Sequence, residues 1–337
     1  MDLLDRLGLS HPILQSGMGG GLATPELCAA VSRAGALGTV GILPPPRFAA
    51  DLRAARDLAG GRPIAANLLL PFTLPEHVDI CIAERVRAVV LFFGFRADIV
   101  ARLRGAGIFV LHQIGTAGEA RRALEDGADA LIAQGVEAGG HLLGVERRAA
   151  ALARVLEVAS GKPVVAAGGI ADASAVRDAL AAGAAAVLCG SRFLLTEESG
   201  AHPAYRRRVL GAPRTIVTRL FGLGWPARHR VVPNRVTERW CDAEGRAPEL
   251  VEAIHRLTEG LLRRLPQSSQ MFRAVERQRL WLPLYSPISA RPWMPEEMVD
   301  VTPLYAGECV RAIHSVIPAA QAVAELAGER AAVAPEP

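Results

Sequence analysis

The amino-acid sequence predicts a (β/α)8 barrel, an α/β fold in which eight parallel strands alternate with helices. Between residues 12 and 193, short apolar runs recur, and most are followed by a turn and an Ala/Leu/Arg-rich segment with helical spacing. Continuously apolar strands that alternate with helices are typical of a parallel sheet covered by helices on its outer face. An open doubly wound sheet is the weaker alternative, because no GxGxxG motif follows the first strand.

The predicted strands share a length of six to eight residues and a nearly unbroken apolar character. They comprise residues 12–18, 37–43, 63–70, 87–93, 108–114, 129–134, 163–169 and 184–190. Segments between them, such as TPELCAAVSRAG and ASAVRDALAAG, end in glycine, as the carboxyl ends of helices often do. The third crossover, PFTLPEHVDICIAE, contains two prolines, which weaken its helical pattern.

The pattern changes after Phe193. Residues 199–303 contain clustered prolines, all four tryptophans and helix-like stretches such as LVEAIHRLTEGLLRRL, which predict an inserted, mainly helical second domain that acts as a lid. The barrel would then comprise residues 1–198 and 304–330. Within its second part, the amphipathic segment AGECVRAIHSVIPAAQAVAELAGE is expected to form one helix that packs back on the barrel, and residues 331–337 a flexible tail.

The composition excludes several classes of partner. No apolar run reaches the roughly 18 residues of a membrane span, and the first residues lack a signal-peptide pattern, so we expect no membrane association and a cytoplasmic location. The formal charge is +4, but the arginines are not interleaved with aromatic residues, which argues against nucleic acid. The five cysteines have no metal-ligand spacing, so reduced thiols and no metal site are expected. The four tryptophans could cap a pocket, form the subunit contact of a homodimer, or pack in a core.

The chain has a single lysine, Lys162. This residue directly precedes the seventh predicted strand, whereas the chemistry of (β/α)8 enzymes takes place where the strands end. The sequence therefore argues against Schiff-base chemistry.

The candidate catalytic residue is His141, in the segment QGVEAGGHLLG that follows the sixth predicted strand. Imidazole titrates near neutral pH, and a histidine in a glycine-rich loop at the end of a barrel strand is well placed to act as an acid, a base or an anion-stabilising group. Glu137 in the same loop has a simpler interpretation, since its carboxylate could satisfy backbone donors of the turn. His112 lies within the fifth predicted strand and is expected to be a core or wall residue.

Two glycine-rich turns predict a phosphate site. AAGGIAD follows the seventh predicted strand and CGSRF follows the eighth, and in (β/α)8 enzymes these two loops often bind phosphate. Because lysine is nearly absent, the backbone N–H groups of Gly168, Gly169, Gly190 and Ser191 are the natural donors. Ordinary turns between strands and helices are the alternative.

The ends of other strands offer groups suited to a flat ring system. The loop QSGMGGG after the first strand brings a flexible backbone, and the side-chain amides of Asn67 and Gln113 can both donate and accept hydrogen bonds, as the edge of a flavin ring requires.

Taken together, these motifs resemble the nitronate monooxygenase family, formerly called 2-nitropropane dioxygenases, whose members are FMN-dependent TIM barrels. The matching pieces include HPILQSGM, QGVEAGGH, PVVAAGGIAD, CGSRFLLTEE, GLGWPARHRVVPN and YAGE, and they cover nearly the whole chain. The resemblance implies that His141 is catalytic. It also implies that FMN is bound by Gly17, Met18, Gly19, Asn67, Gln113, Gly139, Ala167, Gly168, Gly169, Gly190 and Ser191.

The reaction implied by this resemblance is the oxidation of an alkyl nitronate, such as propionate 3-nitronate, by oxygen to a carbonyl compound and nitrite. Met18 with Phe92 or Phe93 could provide an apolar wall beside the histidine. Two alternatives stay open: an NAD(P)H-dependent flavin reductase of the enoyl-acyl-carrier-protein reductase type, and a flavin- or phosphate-binding protein without catalysis. IMP dehydrogenase shares the two glycine turns, but the loop after the sixth strand lacks its catalytic cysteine.

Overall fold

The computed structural model describes residues 2–262 and 275–329 and contains eleven strands in that part of the chain. In chain order they are β1 (Ile13–Gln15), β2 (Gly38–Val40), β3 (Ile64–Leu69), β4 (Ala88–Phe92), β5 (Phe109–Ile114), β6 (Ala130–Gln134), β7 (Gly140–His141), β8 (Val164–Ala167), β9 (Ala186–Cys189), β10 (Ile216–Thr218) and β11 (His229–Val231). All except β7, β10 and β11 belong to one parallel sheet. Each of its eight strands lies within one of the eight predicted runs.

The parallel sheet closes into a barrel. Its strand order is β1-β9-β8-β6-β5-β4-β3-β2. The two edge strands meet through Leu37, whose carbonyl accepts a hydrogen bond from the Gln15 N–H at 2.9 Å and whose own N–H donates to the Ile13 carbonyl at 3.0 Å. The predicted (β/α)8 fold is therefore confirmed. A closed barrel gathers the carboxyl ends of all eight strands around one opening.

Helices cover the outside of the barrel and continue into the insertion. They are Leu3–Leu7, Pro25–Arg33, Pro45–Ala59, Pro75–Ala83, Ala97–Gly105, Ala117–Glu125, Arg148–Val158, Ala173–Ala181, Ser191–Leu194, Pro203–Val209, Arg235–Trp240, Glu249–Leu262 and Ala319–Ala327, with 3₁₀ turns at Leu70–Phe72, Glu296–Asp300 and Glu308–Ala312. The proline-rich third crossover does contain a helix, because Pro75 occupies a first-turn position that needs no N–H donor.

The barrel interior is filled by apolar side chains from alternate strand positions. This cluster includes the fully buried residues Leu14, Leu111, Ile132 and Val165. Leu3 and Leu7 of the first helix belong to the same cluster, so this helix closes the amino-terminal end of the barrel. The open end is therefore the one at which the strands finish.

The inserted segment carries its own apolar core and a small sheet. Three helices lie in its described part, as the sequence predicts, but β10 and β11 also form an antiparallel pair, and β11 pairs with β7 of the barrel. This three-stranded sheet was not predicted. Residues 263–274 of the insertion and the predicted tail, residues 331–337, lie outside the described residues.

The prediction of one helix over residues 306–329 is wrong. The segment forms a 3₁₀ turn, Glu308–Ala312, and a separate helix, Ala319–Ala327, that packs against the barrel helices. Pro318 separates the two, because it lacks an N–H and its ring would clash with the preceding helical turn. Lys162 precedes β8 and is exposed, as expected from its position in the sequence.

The close packing of β2 against the helix Pro25–Arg33 gives a test of the fold. A Cβ atom added at Gly38 would lie 1.9 Å from the Cys28 carbonyl oxygen. We expect Gly38→Ala to lower the free energy of unfolding by about 3 kcal/mol. The control is Gly105→Ala, where the added atom meets no atom within 4 Å. This helix-terminal change should alter stability by less than about 1 kcal/mol. Urea unfolding measures both, and equal stability of the two variants would contradict the packing.

Candidate active site

A cavity of about 260 Å³ lies at the carboxyl ends of the barrel strands. Its wall combines loops that follow β1, β6, β8 and β9 with side chains from the insertion. Every residue predicted for the site lines this cavity: His141, Gly17, Met18, Gly19, Asn67, Gln113, Gly139, Ala167, Gly168, Gly169, Gly190 and Ser191. The structure thus brings the predicted residues together, while their roles stay predictions.

The position of His141 is fixed by the backbone on both sides of the residue. β7 pairs with β11, so that His141 lies opposite His229. On the barrel side, Gln134 at the end of β6 holds the same loop with both halves of its amide: Nε2 donates to the His141 carbonyl at 2.9 Å, and Oε1 accepts from the Leu143 N–H at 3.0 Å. The loop therefore has a defined shape although it is rich in glycine.

Aromatic rings surround the His141 imidazole. It stacks on Trp225 of the insertion, with ring centroids 3.9 Å apart and an interplanar angle of 29°. Three further rings contact it from other directions, with centroid distances of 6.2 Å to Phe93, 5.4 Å to His229 and 5.2 Å to Tyr305. This packing restricts the rotation of the ring.

Burial makes His141 a neutral imidazole. The pKa of His141 lies well below its ordinary value, chiefly because burial disfavours the cation and secondarily because His229 is close. Its Nε2 atom is buried and has no hydrogen-bond partner among the described residues. Since buried polar atoms are normally paired, this atom is suited to a ligand in the cavity.

Two other polar residues of this region have structural roles. Glu137 accepts a hydrogen bond from the Arg148 N–H at 2.8 Å and forms an ion pair with Arg147 at 3.3 Å, in keeping with its interpretation as a turn residue. His112 is buried, and its Nε2 lies 2.9 Å from the Gly94 carbonyl oxygen, so it belongs to the wall of the barrel.

The turns after β8 and β9 have the backbone geometry of a cradle. Gly168 and Gly169 adopt φ angles of +114° and +67°, which side chains rarely allow. Gly190 follows β9, and a Cβ atom there would be only in ordinary contact, 3.7 Å from Ser16 Cβ. The Ser191 hydroxyl accepts a hydrogen bond from the Gly307 N–H at 2.8 Å, which ties this turn to the segment YAGE.

The loop after β1 lies directly against β3. A Cβ atom at Gly17 would lie 2.3 Å from Asn67 Cβ, so only glycine permits this approach. The Asn67 Nδ2 donates to the Val90 carbonyl at 3.1 Å, which leaves its oxygen as the acceptor available to a ligand. Met18 and Phe92 also line the cavity, as the predicted apolar wall requires.

The sequence predicts the insertion as a lid, but it does not identify which side chains of the insertion, or of the segment after it, reach the site. Trp225, Tyr205, Arg291 and Tyr305 all line the cavity. GLGWPARHRVVPN and YAGE, which contain two of them, were noted as matching segments, but no local pattern assigned their side chains to the site. The tryptophans divide among the alternatives: Trp225 caps the cavity, Trp240 donates to the Leu280 carbonyl, and Trp281 and Trp293 are exposed.

The part of the chain that the structure describes contains neither a metal-binding cluster nor a helix that could span a membrane. No group of three or more histidine, cysteine or acidic side chains there could hold a metal ion. Nor does any described helix combine the length and apolarity needed to cross a membrane. All five cysteines are free thiols.

Comparisons with known proteins agree on one family. The sequence profile described as nitronate monooxygenase matches residues 2–79 and 72–329. The chain is 35% identical over 274 residues to "(3aS,4S,5R,7aS)-5-hydroxy-7a-methyl-1-oxo-octahydro-1H-indene-4-carboxyl-CoA dehydrogenase" of Mycobacterium tuberculosis, covering 79% of this chain and 74% of the relative. It is 35% identical over 278 residues to the nitronate monooxygenase of Pseudomonas aeruginosa, covering 68% and 79%. The solved nitroalkane oxidase of Streptomyces ansochromogenes superposes with a TM-score of 0.76 at 29% identity, over 97% of both chains.

The buried histidine behind His141 predicts acid sensitivity. His229 is 0% exposed, and burial lowers its pKa from 6.5 to about 4. In the unfolded chain this histidine binds a proton as the pH falls below 6.5, whereas in the native state it binds the proton only near pH 4. The free energy of unfolding therefore decreases as the pH falls from 6.5 to about 4. At pH 5 this residue alone should cost about 2 kcal/mol relative to pH 7.

Urea unfolding at pH 7 and pH 5 measures this loss. His229→Phe should show a smaller difference between the two pH values than the wild type, whatever its stability at pH 7. His314→Asn, which changes an exposed histidine, should keep the wild-type difference. An undiminished pH dependence in His229→Phe would rule out this residue as its source.

Proposed function

Because the chain belongs to the nitronate monooxygenase family, we propose that it is an FMN-dependent oxidoreductase that converts alkyl nitronates, such as propionate 3-nitronate, to a carbonyl compound and nitrite with oxygen. The observation that carries this proposal is the neutral imidazole of His141, whose Nε2 has no hydrogen-bond partner among the described residues and which lines the same cavity as the glycine turns after β8 and β9. The proposal has three parts: a flavin site, an anion-binding histidine and an apolar wall.

The cavity residues fit FMN. Positive φ angles at Gly168 and Gly169 form a turn whose N–H groups can approach a phosphate, and Gly190 and Ser191 begin the neighbouring turn. Asn67 and Gln113 offer amide groups at the ends of β3 and β5 for the polar edge of the ring, and Gly17, Met18 and Gly19 offer backbone beside it. Gly139 and Ala167 complete the wall. When bound, FMN would supply the electron acceptor of the reaction.

His141 would bind the substrate as a hydrogen-bond donor. A nitronate is already an anion, so the residue need not remove a proton from carbon, and an imidazole with a strongly lowered pKa is a poor base for that task. A neutral imidazole can still donate one N–H to a nitronate oxygen. The negative charge of the ligand would also favour protonation of the ring, because an adjacent opposite charge raises the pKa of histidine.

The surroundings of His141 would exclude water from the reacting group. Trp225 covers one face of the imidazole, and Phe92 and Met18 contribute apolar surface to the same cavity. In such a site the hydrogen bond from His141 to a charged oxygen is stronger than in water. The wall would therefore select a ligand with one anionic end and an apolar body.

The name of the Mycobacterium tuberculosis relative favours a second candidate function. That relative is named as the dehydrogenase of a carboxyl-CoA compound, which favours an acyl thioester as the alternative class of substrate. A reductase of the enoyl-acyl-carrier-protein reductase type also acts on an acyl thioester, and it takes NAD(P)H as its electron donor. An anaerobic absorbance spectrum separates the candidates. Bleaching of the flavin bands by propionate 3-nitronate alone supports the first, and bleaching by NADPH alone supports the second. The absence of any flavin uptake would refute both.

Substitution of the histidine tests its role. We expect His141→Asn to retain FMN and to lose about 100-fold or more of kcat/KM for propionate 3-nitronate, since removal of a catalytic imidazole typically has this effect. Oxygen consumption measures turnover, and the flavin absorbance measures FMN content. His314→Asn should behave as the wild type. Wild-type turnover by His141→Asn would show that the histidine is not needed.

A pair of isosteric substitutions tests the phosphate site. Gly190 has a φ of −107°, and an added Cβ atom would make only ordinary contact, so both variants can adopt the backbone. Gly190→Asp would bring a carboxylate close to the phosphate and weaken FMN binding about 100-fold or more relative to Gly190→Asn, which has the same shape without the charge. Fluorescence titration of the apoprotein with FMN measures both affinities. Equal affinities would place the phosphate elsewhere.

A further inference from the structure

Arg291 is a buried arginine without an acidic partner. The residue is 1% exposed, and it has the largest fully buried side chain among the described residues. Its Nε has no hydrogen-bond partner among the described residues, and the hydrogen bond that its Nη1 donates to the Gly200 carbonyl is long, at 3.5 Å. No described carboxylate forms an ion pair with it, and the charged state of the guanidinium is affected only by burial and by the nearby Tyr205. The internal segment 263–274, RRLPQSSQMFRA, contains no acidic residue.

The other buried arginines in the described part of the chain make shorter hydrogen bonds than Arg291. The described residues include two more, Arg192 and Arg230. Arg230 forms an ion pair with Glu308 at 3.1 Å and donates to the Val136 carbonyl at 2.9 Å. Arg192 resembles Arg291 in that its Nε has no partner among the described residues, but its Nη2 donates to the Leu195 and Ser315 carbonyls at 2.6 and 2.8 Å. Burial of an unpaired charge costs several kcal/mol, so the arrangement at Arg291 requires a compensating partner.

Arg291 lines the same cavity as His141, and the two side chains contact different residues. A Cβ atom at Gly20 would lie 2.8 Å from Nη2 of Arg291, so the guanidinium is packed on the loop that follows β1. The ring contacts of His141, by contrast, come from Trp225, Phe93, His229 and Tyr305. Arg291 and His141 thus form two separate polar positions in one cavity that is otherwise largely apolar.

The loop that carries Arg291 is held rigidly by side chains. Gln278 accepts from the Ser286 N–H at 2.7 Å and donates to the Val301 carbonyl at 2.6 Å, and the Ser289 hydroxyl donates to the Pro303 carbonyl at 2.8 Å. The guanidinium is therefore held in place before any ligand arrives, which lowers the entropic cost of binding. Burial lowers the pKa of Arg291 to about 10, so the residue remains a cation at neutral pH.

We propose that Arg291 binds a carboxylate at the end of the substrate that is distant from the nitronate group, and that the enzyme therefore prefers carboxyalkyl nitronates to simple alkyl nitronates. The planar guanidinium matches a carboxylate with two parallel N–H donors. His141 would receive the nitronate end, and the apolar wall the carbon chain between them. This inference rests on the proposed function, because it assigns the second anionic group of the same substrate.

Two substrates of similar length test the proposal. Propionate 3-nitronate carries the carboxylate, and butyl-1-nitronate replaces it with an ethyl group. In the wild-type holoenzyme kcat/KM should be higher for propionate 3-nitronate. In Arg291→Met the ratio of the two kcat/KM values should fall about 10- to 100-fold, mainly through KM. Arg291→Lys, which keeps the charge without the planar fork, should give an intermediate ratio.

Other outcomes would overturn the proposal. An unchanged ratio in both variants would show that Arg291 does not recognise the carboxylate. Loss of FMN from both variants would assign the guanidinium to the flavin phosphate. If Arg291→Met does not fold, Arg291→Lys and the wild type still decide the question.

A binding measurement separates this proposal from the proposed function. Titration of the oxidised wild-type holoenzyme with propionate should perturb the flavin absorbance with an affinity at least tenfold higher than propionamide, and Arg291→Lys should reduce this preference. If the enzyme prefers propionate to propionamide but does not turn over any nitronate, the carboxylate site is retained and the nitronate substrate is refuted. If the enzyme turns over nitronates but does not prefer propionate to propionamide, the nitronate substrate is retained and the carboxylate site is refuted. Tighter binding of inorganic phosphate than of propionate would assign the site to a phosphate ester and refute the carboxylate.

Discussion

The cavity depends on backbone segments that approach one another more closely than side chains would allow. Gly17 lies against Asn67, and Gly139 lies against the backbone of Ala306 at a distance that leaves no room for a Cβ atom. These contacts join the loop after β1 to β3, and the loop after β6 to the carboxyl-terminal segment. The shape of the cavity is therefore set by main chain, which varies less in position than side chains that can change rotamer.

Two unpaired polar groups give the cavity its chemical character. Among the described residues, the Nε2 of the neutral His141 has no hydrogen-bond partner, and no carboxylate forms an ion pair with the charged Arg291. Both arrangements destabilise the free protein, because buried polar groups normally have partners. A ligand that satisfies both would recover this free energy, and it would stabilise the folded state to the extent that it binds only that state. Buried polar groups without partners are more common at ligand-binding sites than at positions that only support the fold.

The barrel could be predicted from the sequence because its strands are buried on both faces and therefore read as continuous apolar runs. The glycine turns and His141 could be found because each directly follows such a run. The position of the glycine turns predicts a phosphate site, and the amides of Asn67 and Gln113 suit the edge of a ring, but the full set of FMN-binding residues is implied only by resemblance to a family. β7 has only two residues and no periodic pattern, and Arg291 lies in a loop fixed by long-range hydrogen bonds. The carboxyl-terminal break was missed because Pro318 lies within an alanine-rich pattern that otherwise suits a helix.

The pairing of β7 with β11 makes the insertion part of the wall around His141. His141 and His229 are neighbours in this sheet although they are distant in the chain, and Trp225 of the same insertion covers the His141 ring. The insertion cannot rotate away as a unit without separating the two strands. Contacts between distant segments also form late in folding, since loop closure must precede them. The cavity around His141 is therefore complete only when the insertion is paired with the loop after β6.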